Sequence, residues 1–484
     1  MTIEGDAYEK EGFHFLHEAK LLINIALPTV IVQFSLYFLY PQTASAVGRN
    51  LGTQELAGFS LGSLSGNMTC LAMIIGVLSA ANTLMPQAFG SRNYEQVGIL
   101  AIQSFVACLL VLFVPIAILT TCMDWVFSLL GQDPDAADLA VSWLRIYVIG
   151  VPFVLLIRVL QYFLSSQHLV WPMAYGCMVG CFLVHPILLR VLIPRVGFLG
   201  SGWAVVTTQV VQVAAVLTYL RWKPEYKAET WNGLSLHAIR EALRLKPMFQ
   251  FIKLSLGGVL SMSEWWFWEV LCVLAGHLGV VPLCIHTIAY NLVPICFMVP
   301  LGTSIGLTMR MGHVLPTDVR KAKILAGSCM GMILVMACLV AAFLWHLQDP
   351  IIALFTKDDE VKQGCKEIWH LLCLYIVLLY IFGMNSGIMR ALAMQWTLAG
   401  IIVAFLWLGA LPTVVHFAII KGGGVYAMWH ILPLFYAIMN LTLIFSYVTA
   451  DWNAISASIR ERRGSAAREN SEAARLLGEG ATLG

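Results

Sequence analysis

Almost from end to end, the chain divides into about twelve apolar stretches, each long enough to cross a lipid bilayer. A hydrocarbon core of roughly 30 Å takes about 20 helical residues. The stretches run roughly 21–45, 56–82, 98–122, 139–164, 169–193, 198–220, 250–277, 282–308, 322–346, 366–390, 395–418 and 424–449. At that depth there is no water to satisfy backbone N–H and C=O groups, so each stretch must pair them internally, as an α-helix does. Composition excludes the alternative of a large soluble core. Charged residues make up 12% of the 484, against about 25% in a soluble domain, too few to cover a water-facing surface. The expected fold is an all-α polytopic membrane protein with the lipid bilayer as its permanent partner. No basic run is dense enough for nucleic acid. The polar, acid-bearing start "MTIEGDAYEKEGFHFLHEAK" is not a cleavable signal.

Lys and Arg in the connecting segments set the orientation. Placing the N-terminus inside puts 20 of them in inner segments and 7 in outer ones, with Arg145 and Arg158 inside a span. Both termini are therefore expected in the cytoplasm. The longest polar interruption, 221–249, separates six spans from six. It contains "SLHAIREALRLK", a candidate amphipathic surface helix capped by Ser235. The expected organisation is a cytoplasmic segment 1–20, an N-lobe 21–220, the linker 221–249, a C-lobe 250–450 and a disordered cytoplasmic tail 451–484. The halves share a weak repeat: "VGRNLGTQELA" after the first span is similar to "LAGHLGVVPLC" after the seventh. Six-helix repeats enclosing a midplane site are a transporter architecture.

Ionisable groups within the spans are the informative residues, since each costs on the order of 2.5–3.5 kcal/mol near the bilayer centre. "SMSEWWFWEV", 261–270, carries Glu264 about ten residues into its span. A carboxyl that is neutral at rest and ionises when water or a cation arrives suits proton exchange. Glu269, five residues on, points about 140° away on a straight helix, so the two acids do not share a proton. Trp268 borders both, and an aromatic face beside a carboxylate suits an organic cation. His185 late in the fifth span reads first as a hydrogen-bonded structural group. Gln33 and Asn82 are uncharged polar groups that serve either helix packing or a polar cavity. The cysteines fall singly, mostly in apolar segments, with no metal-ligand spacing. No nucleophile or phosphate-loop motif points to an enzyme.

"LSAANTLMPQAFGSRNYEQVG" (78–98), "GQDPDAADL" (131–139), and "SEWWFWEV" followed by "FMVPLGTSIGLTMRMG" (297–312) resemble the multidrug and toxic compound extrusion (MATE) transporters of the eukaryotic branch. The resemblance covers about residues 20–450. It implies two pseudo-symmetric six-helix lobes around a V-shaped cavity, and alternating-access antiport of protons against organic cations or other amphipathic small molecules. It implies no cofactor beyond the coupling ion, a monomer, and a plasma-membrane or vacuole-like location. By that resemblance Glu264 is the coupling acid, Glu269 the second acid and Gln33 a polar cavity residue. Trp265, Tyr290 and Phe297 form an aromatic wall. The sequence also departs from the relatives: Asn82, Asn291 and Leu379 stand where they carry acids, so fewer carboxylates line this cavity. A sodium-coupled exporter and a lipid-linked precursor flippase of similar fold remain as alternatives; the scarcity of lysine in the spans weighs against the flippase.

Overall fold

The computed structural model describes residues 15–461 except positions 130, 232, 234 and 357. The expected first segment, through residue 14, and the tail beyond 461 lie outside the described residues. No strand occurs among them, and eleven unbroken helices are long and apolar enough to span a membrane. The twelfth expected span, the seventh in order, is two helices, Leu245–Ser261 and Ser263–His277, joined at Met262. Neither half is long enough to cross alone. Together they hold the place of one span, so six spans stand on each side of the linker.

The linker folds as expected at its helix. Ser235 Oγ accepts the Ala238 N–H at 3.1 Å and caps Leu236–Ala242. The segment before it is tied to the N-lobe, with Lys227 N–H and Thr230 Oγ1 both donating to Gln167 Oε1. The expectation of disorder from 451 onward needs correction. Residues 452–461 are helical. Trp452 is buried and Ser456 Oγ donates to the Leu315 carbonyl at 2.8 Å, so the apolar Trp452 and Ile459 dock this stretch on the C-lobe.

The weak internal repeat has a backbone counterpart. Gly52 and Gly279, aligned in the two matched segments, both take positive φ, 146° and 120°, where an L side chain is strained. Each starts the span that follows. His168 after the fourth span and Ala393 after the tenth repeat the likeness: both take φ near 60°. In each turn the next residue's N–H reaches back to a carbonyl five residues earlier, Leu169 to Leu164 and Met394 to Met389.

Each lobe has its own hydrophobic core, with Phe251, Val259, Ile305 and Met309 of the C-lobe packed into the N-lobe's and Leu22 of the N-lobe into the C-lobe's. The lobes meet along one end, the end that carries the linker and the 166–170 and 392–394 turns. There the backbones approach too closely for side chains. A methyl carbon added at Gly302 would stand 2.6 Å from Val30 Cα, and one at Gly90 2.5 Å from His313 Cα. Hydrogen bonds clasp the same end. Thr83 Oγ1 donates to the Arg390 carbonyl at 2.7 Å, Gln87 Nε2 to the Ala391 carbonyl at 2.8 Å, and His313 Nε2 lies 2.6 Å from the Ser166 carbonyl. Thr83 and Gln87 belong to the "TLMPQAFG" stretch, and this is what they do: they cap the end of the tenth span from the other lobe. Phe113, Leu339, Leu408 and Phe445 are exposed on the outer faces of the lobes, as lipid-facing side chains should be.

Candidate functional site

Between the lobes lies a cavity of about 40 Å³. That is enough for water, which needs about 10–15 Å³, but far below the roughly 300 Å³ of an organic-ligand pocket. The break at Met262 builds its C-lobe wall. Restarting the helix at Ser263 places Glu264 in a first turn, where the free N–H groups and the helix dipole favour a carboxylate. Glu264 is 4% exposed and is the only acid among the buried polar residues described. Its Oε1 accepts the Tyr436 hydroxyl at 2.6 Å, and Trp268 Nε1 donates to that hydroxyl at 3.2 Å. The carboxyl therefore has a fixed rotamer and one strong donor.

The sequence-predicted residues divide. Gln33, Asn82, Glu264, Trp265 and Phe297 all line the cavity. Trp268, Glu269, Tyr290 and Asn291 do not line it. Trp268 turns into the C-lobe, stacked on Tyr290 at 5.8 Å and on His286 at 6.2 Å, with Tyr375 edge-on at 5.0 Å. It reaches Glu264 through Tyr436, so its part at that carboxyl is to hold a hydrogen-bond partner. Glu269 accepts the Tyr290 hydroxyl at 2.7 Å and is only partly buried. Asn291 is exposed. The two acids share a half-helix, yet each has its own tyrosine on a different span. His185 is held on both ring nitrogens, by Thr43 and Thr208 hydroxyls at 2.9 Å each, as its structural reading expects. Arg190 is exposed beside Arg49 at the other end of the molecule, away from the central cavity.

The sequence reading missed three cavity residues. Arg158 and Arg390 line it, 6% and 8% exposed, with Tyr162 beside them. Arg158 is visible as a charge inside a span; Arg390 is the last residue of the tenth expected span, where a charge reads as belonging to the loop. The cavity thus contains no lysine but two guanidinium groups. Tyr436, the partner of Glu264, had no signal, because a tyrosine 172 positions away is one aromatic among many. All twelve cysteines are free thiols.

With this geometry in view, the comparisons with known proteins can be set beside it. The MatE family profile matches residues 28–190 and 258–416, one segment per lobe. Multidrug and toxin extrusion protein 1 of Danio rerio is 27% identical over 84% of this chain and 68% of its own. An uncharacterised transporter of Schizosaccharomyces pombe is 28% identical over 92% and 83%. The crystal structure of the eukaryotic MATE transporter AtDTX14 superposes with a TM-score of 0.85 at 21% identity, over 93% of this chain and 99% of that one. That likeness carries the two-lobed V-shaped fold, and the names of the relatives are those of transporters rather than enzymes. By the span of the profile match across both lobes, this chain belongs to the MatE family of membrane transporters.

Proposed function

We propose that the protein is a proton-coupled antiporter that exports amphipathic small molecules, with Glu264 as the proton carrier. The observation that carries this reading is a single buried carboxyl on the wall of the inter-lobe cavity, bonded to one phenol. A bilayer-depth acid is expensive unless it is used or paired, and no Lys or Arg pairs with this one within 4 Å among the described residues. Opened toward the proton-rich side, the carboxyl takes a proton and loses its attraction for a cationic group, which leaves. Opened toward the other side, it gives up the proton and regains that attraction. The cavity is too small for a substrate as it stands, so loading requires the lobes to part at one end, with the clasp of Thr83 and Gln87 as the contact that must break.

The bias of Lys and Arg favours the clasped end, with the linker, as the cytoplasmic one. We further take the protein to work as a monomer in a plasma membrane or a vacuole-like organelle membrane, both of which offer protons on the far side. A proton is favoured over sodium because one carboxyl with a phenol donor offers a small cation a single strong oxygen ligand. In proteoliposomes, exchange of a fluorescent cationic dye should follow an imposed pH gradient and ignore an imposed sodium gradient, and Glu264→Gln should reduce it to the protein-free level. Full pH-driven exchange by that variant, with the protein folded, would sink the assignment.

A further inference from the structure

The cavity holds more positive charge than the proposed mechanism uses. Arg158 comes from the fourth span in the N-lobe and Arg390 from the tenth in the C-lobe, and both line the same space. Guanidinium groups stay charged in proteins. Arg158 Nη1 donates to Gln33 Oε1 at 2.5 Å and Gln161 Oε1 at 3.2 Å, and Arg390 Nη2 to Ser304 Oγ at 2.9 Å. All of these acceptors are neutral. Neither arginine has a carboxylate partner among the described residues, and the Nε of each is buried with no acceptor. Gln161 Nε2 is a third orphaned donor next to them. A buried charge with no counter-charge is destabilising, and so is a buried donor left without an acceptor. What this part of the wall lacks is an acceptor-rich anion. Glu264, engaged by Tyr436, is the one acid lining the cavity.

Resting on the reading of this cavity as the transport site, we propose that its substrates are zwitterionic amphiphiles. An anionic group, such as a carboxylate, sulfonate or phosphate ester, sits against Arg158 and Arg390, while the cationic end faces Glu264 and Trp265. The division of labour keeps antiport intact. Protonating Glu264 releases the cationic end, whereas a purely anionic solute would be held more tightly by the same protonation. Because the two arginines belong to different lobes, the seated anion also joins the lobes at the cavity floor.

The test is equilibrium binding, which needs no gradient. The full chain, in detergent free of phospholipid, is titrated with a rhodamine bearing a free carboxylate and with the methyl ester of the same dye, read by fluorescence anisotropy. The two differ by one anionic charge. The acid should bind about tenfold tighter, the size expected for one charge-assisted hydrogen-bond pair, and Arg158→Gln or Arg390→Gln should shrink that preference to about threefold or less. Equal binding of acid and ester by the unaltered protein would overturn the proposal, and this ratio stands even where a variant does not fold. A preference that survives both substitutions would overturn it as well. If lysophosphatidylcholine displaces the acid dye more strongly than the ester displaces it, the anion seat belongs to a lipid headgroup and the small-solute assignment fails. Failure of proton coupling would show separately, as pH-driven exchange persisting in Glu264→Gln with the acid-to-ester ratio unchanged.

Discussion

The two lobes repeat one topology and differ in what they bury. The N-lobe interior is amide-rich: Gln33, Gln103, Gln161, Gln209 and Gln212 are all buried, with Arg158 the charge among them. The C-lobe buries Glu264 amid Trp268, Tyr375, Tyr436 and His286. The equivalent turns at Gly52 and Gly279 or at His168 and Ala393 show how closely the backbones correspond. The chemistry does not follow the backbone. On the proposed mechanism the pseudo-symmetric lobes are two moving bodies, and placing the buried carboxyl in one of them makes that lobe the proton-binding half. The other lobe offers groups that hold a charge or a dipole fixed through the cycle.

The junction between the lobes is the first place to break the comparison. Gly302→Val forces side-chain atoms onto Val30, and overpacking of this kind costs about 1–3 kcal/mol. If that cost falls on the clasped conformer alone, the population open at the clasped end should rise roughly 5- to 150-fold. With the native cysteines replaced, labelling by a membrane-impermeant maleimide of a cysteine placed at Asn82, which lines the cavity and takes no part in the clasp, measures it, and unchanged labelling would mean the lobes do not separate there.

Moving negative charge into the N-lobe wall sharpens the contrast next. Asn82→Asp adds a carboxylate to the opposite cavity wall, so preference for a dication over a monocation should grow about tenfold, as a charge pair at an effective dielectric near 20 allows. Competition binding with two such dyes checks it. Glu269→Gln tests whether the C-lobe's acids are equivalent. Since Glu269 lies off the cavity and its tyrosine bond can be kept by an amide, exchange should fall by no more than about fivefold, a loss of about 1 kcal/mol. Parity with the Glu264 variant would show that both acids carry the proton. The smallest effect on transport is expected from His185→Phe in the N-lobe. Losing two hydroxyl partners should lower thermal stability by about 1–3 kcal/mol and leave the pH dependence of exchange where it was.

Much of this was legible because membranes make polarity conspicuous. Glu264 stood out in an apolar run, and the lobes followed from span count and the linker. The break at Met262 was not legible, since "LSMSEWW" holds neither Pro nor Gly and reads as continuous helix. Arg390 was hidden by its position near a span end, where a shift of one turn moves a residue from loop to cavity. Tyr436 and Ser304 act through tertiary proximity, which no local pattern encodes. Of Asn82, Asn291 and Leu379, the positions where the family resemblance implies acids, only Asn82 lines the cavity.

The claim that matters most is that Glu264 exchanges its proton for the substrate's positive charge. Purified protein in weakly buffered detergent solution near neutral pH, mixed with a cationic dye while a pH indicator is followed, measures that exchange directly. The expected result is proton release that saturates with dye binding in the unaltered protein and is absent in Glu264→Gln. Equal release from both proteins would place the coupling proton on another group and contradict the assignment.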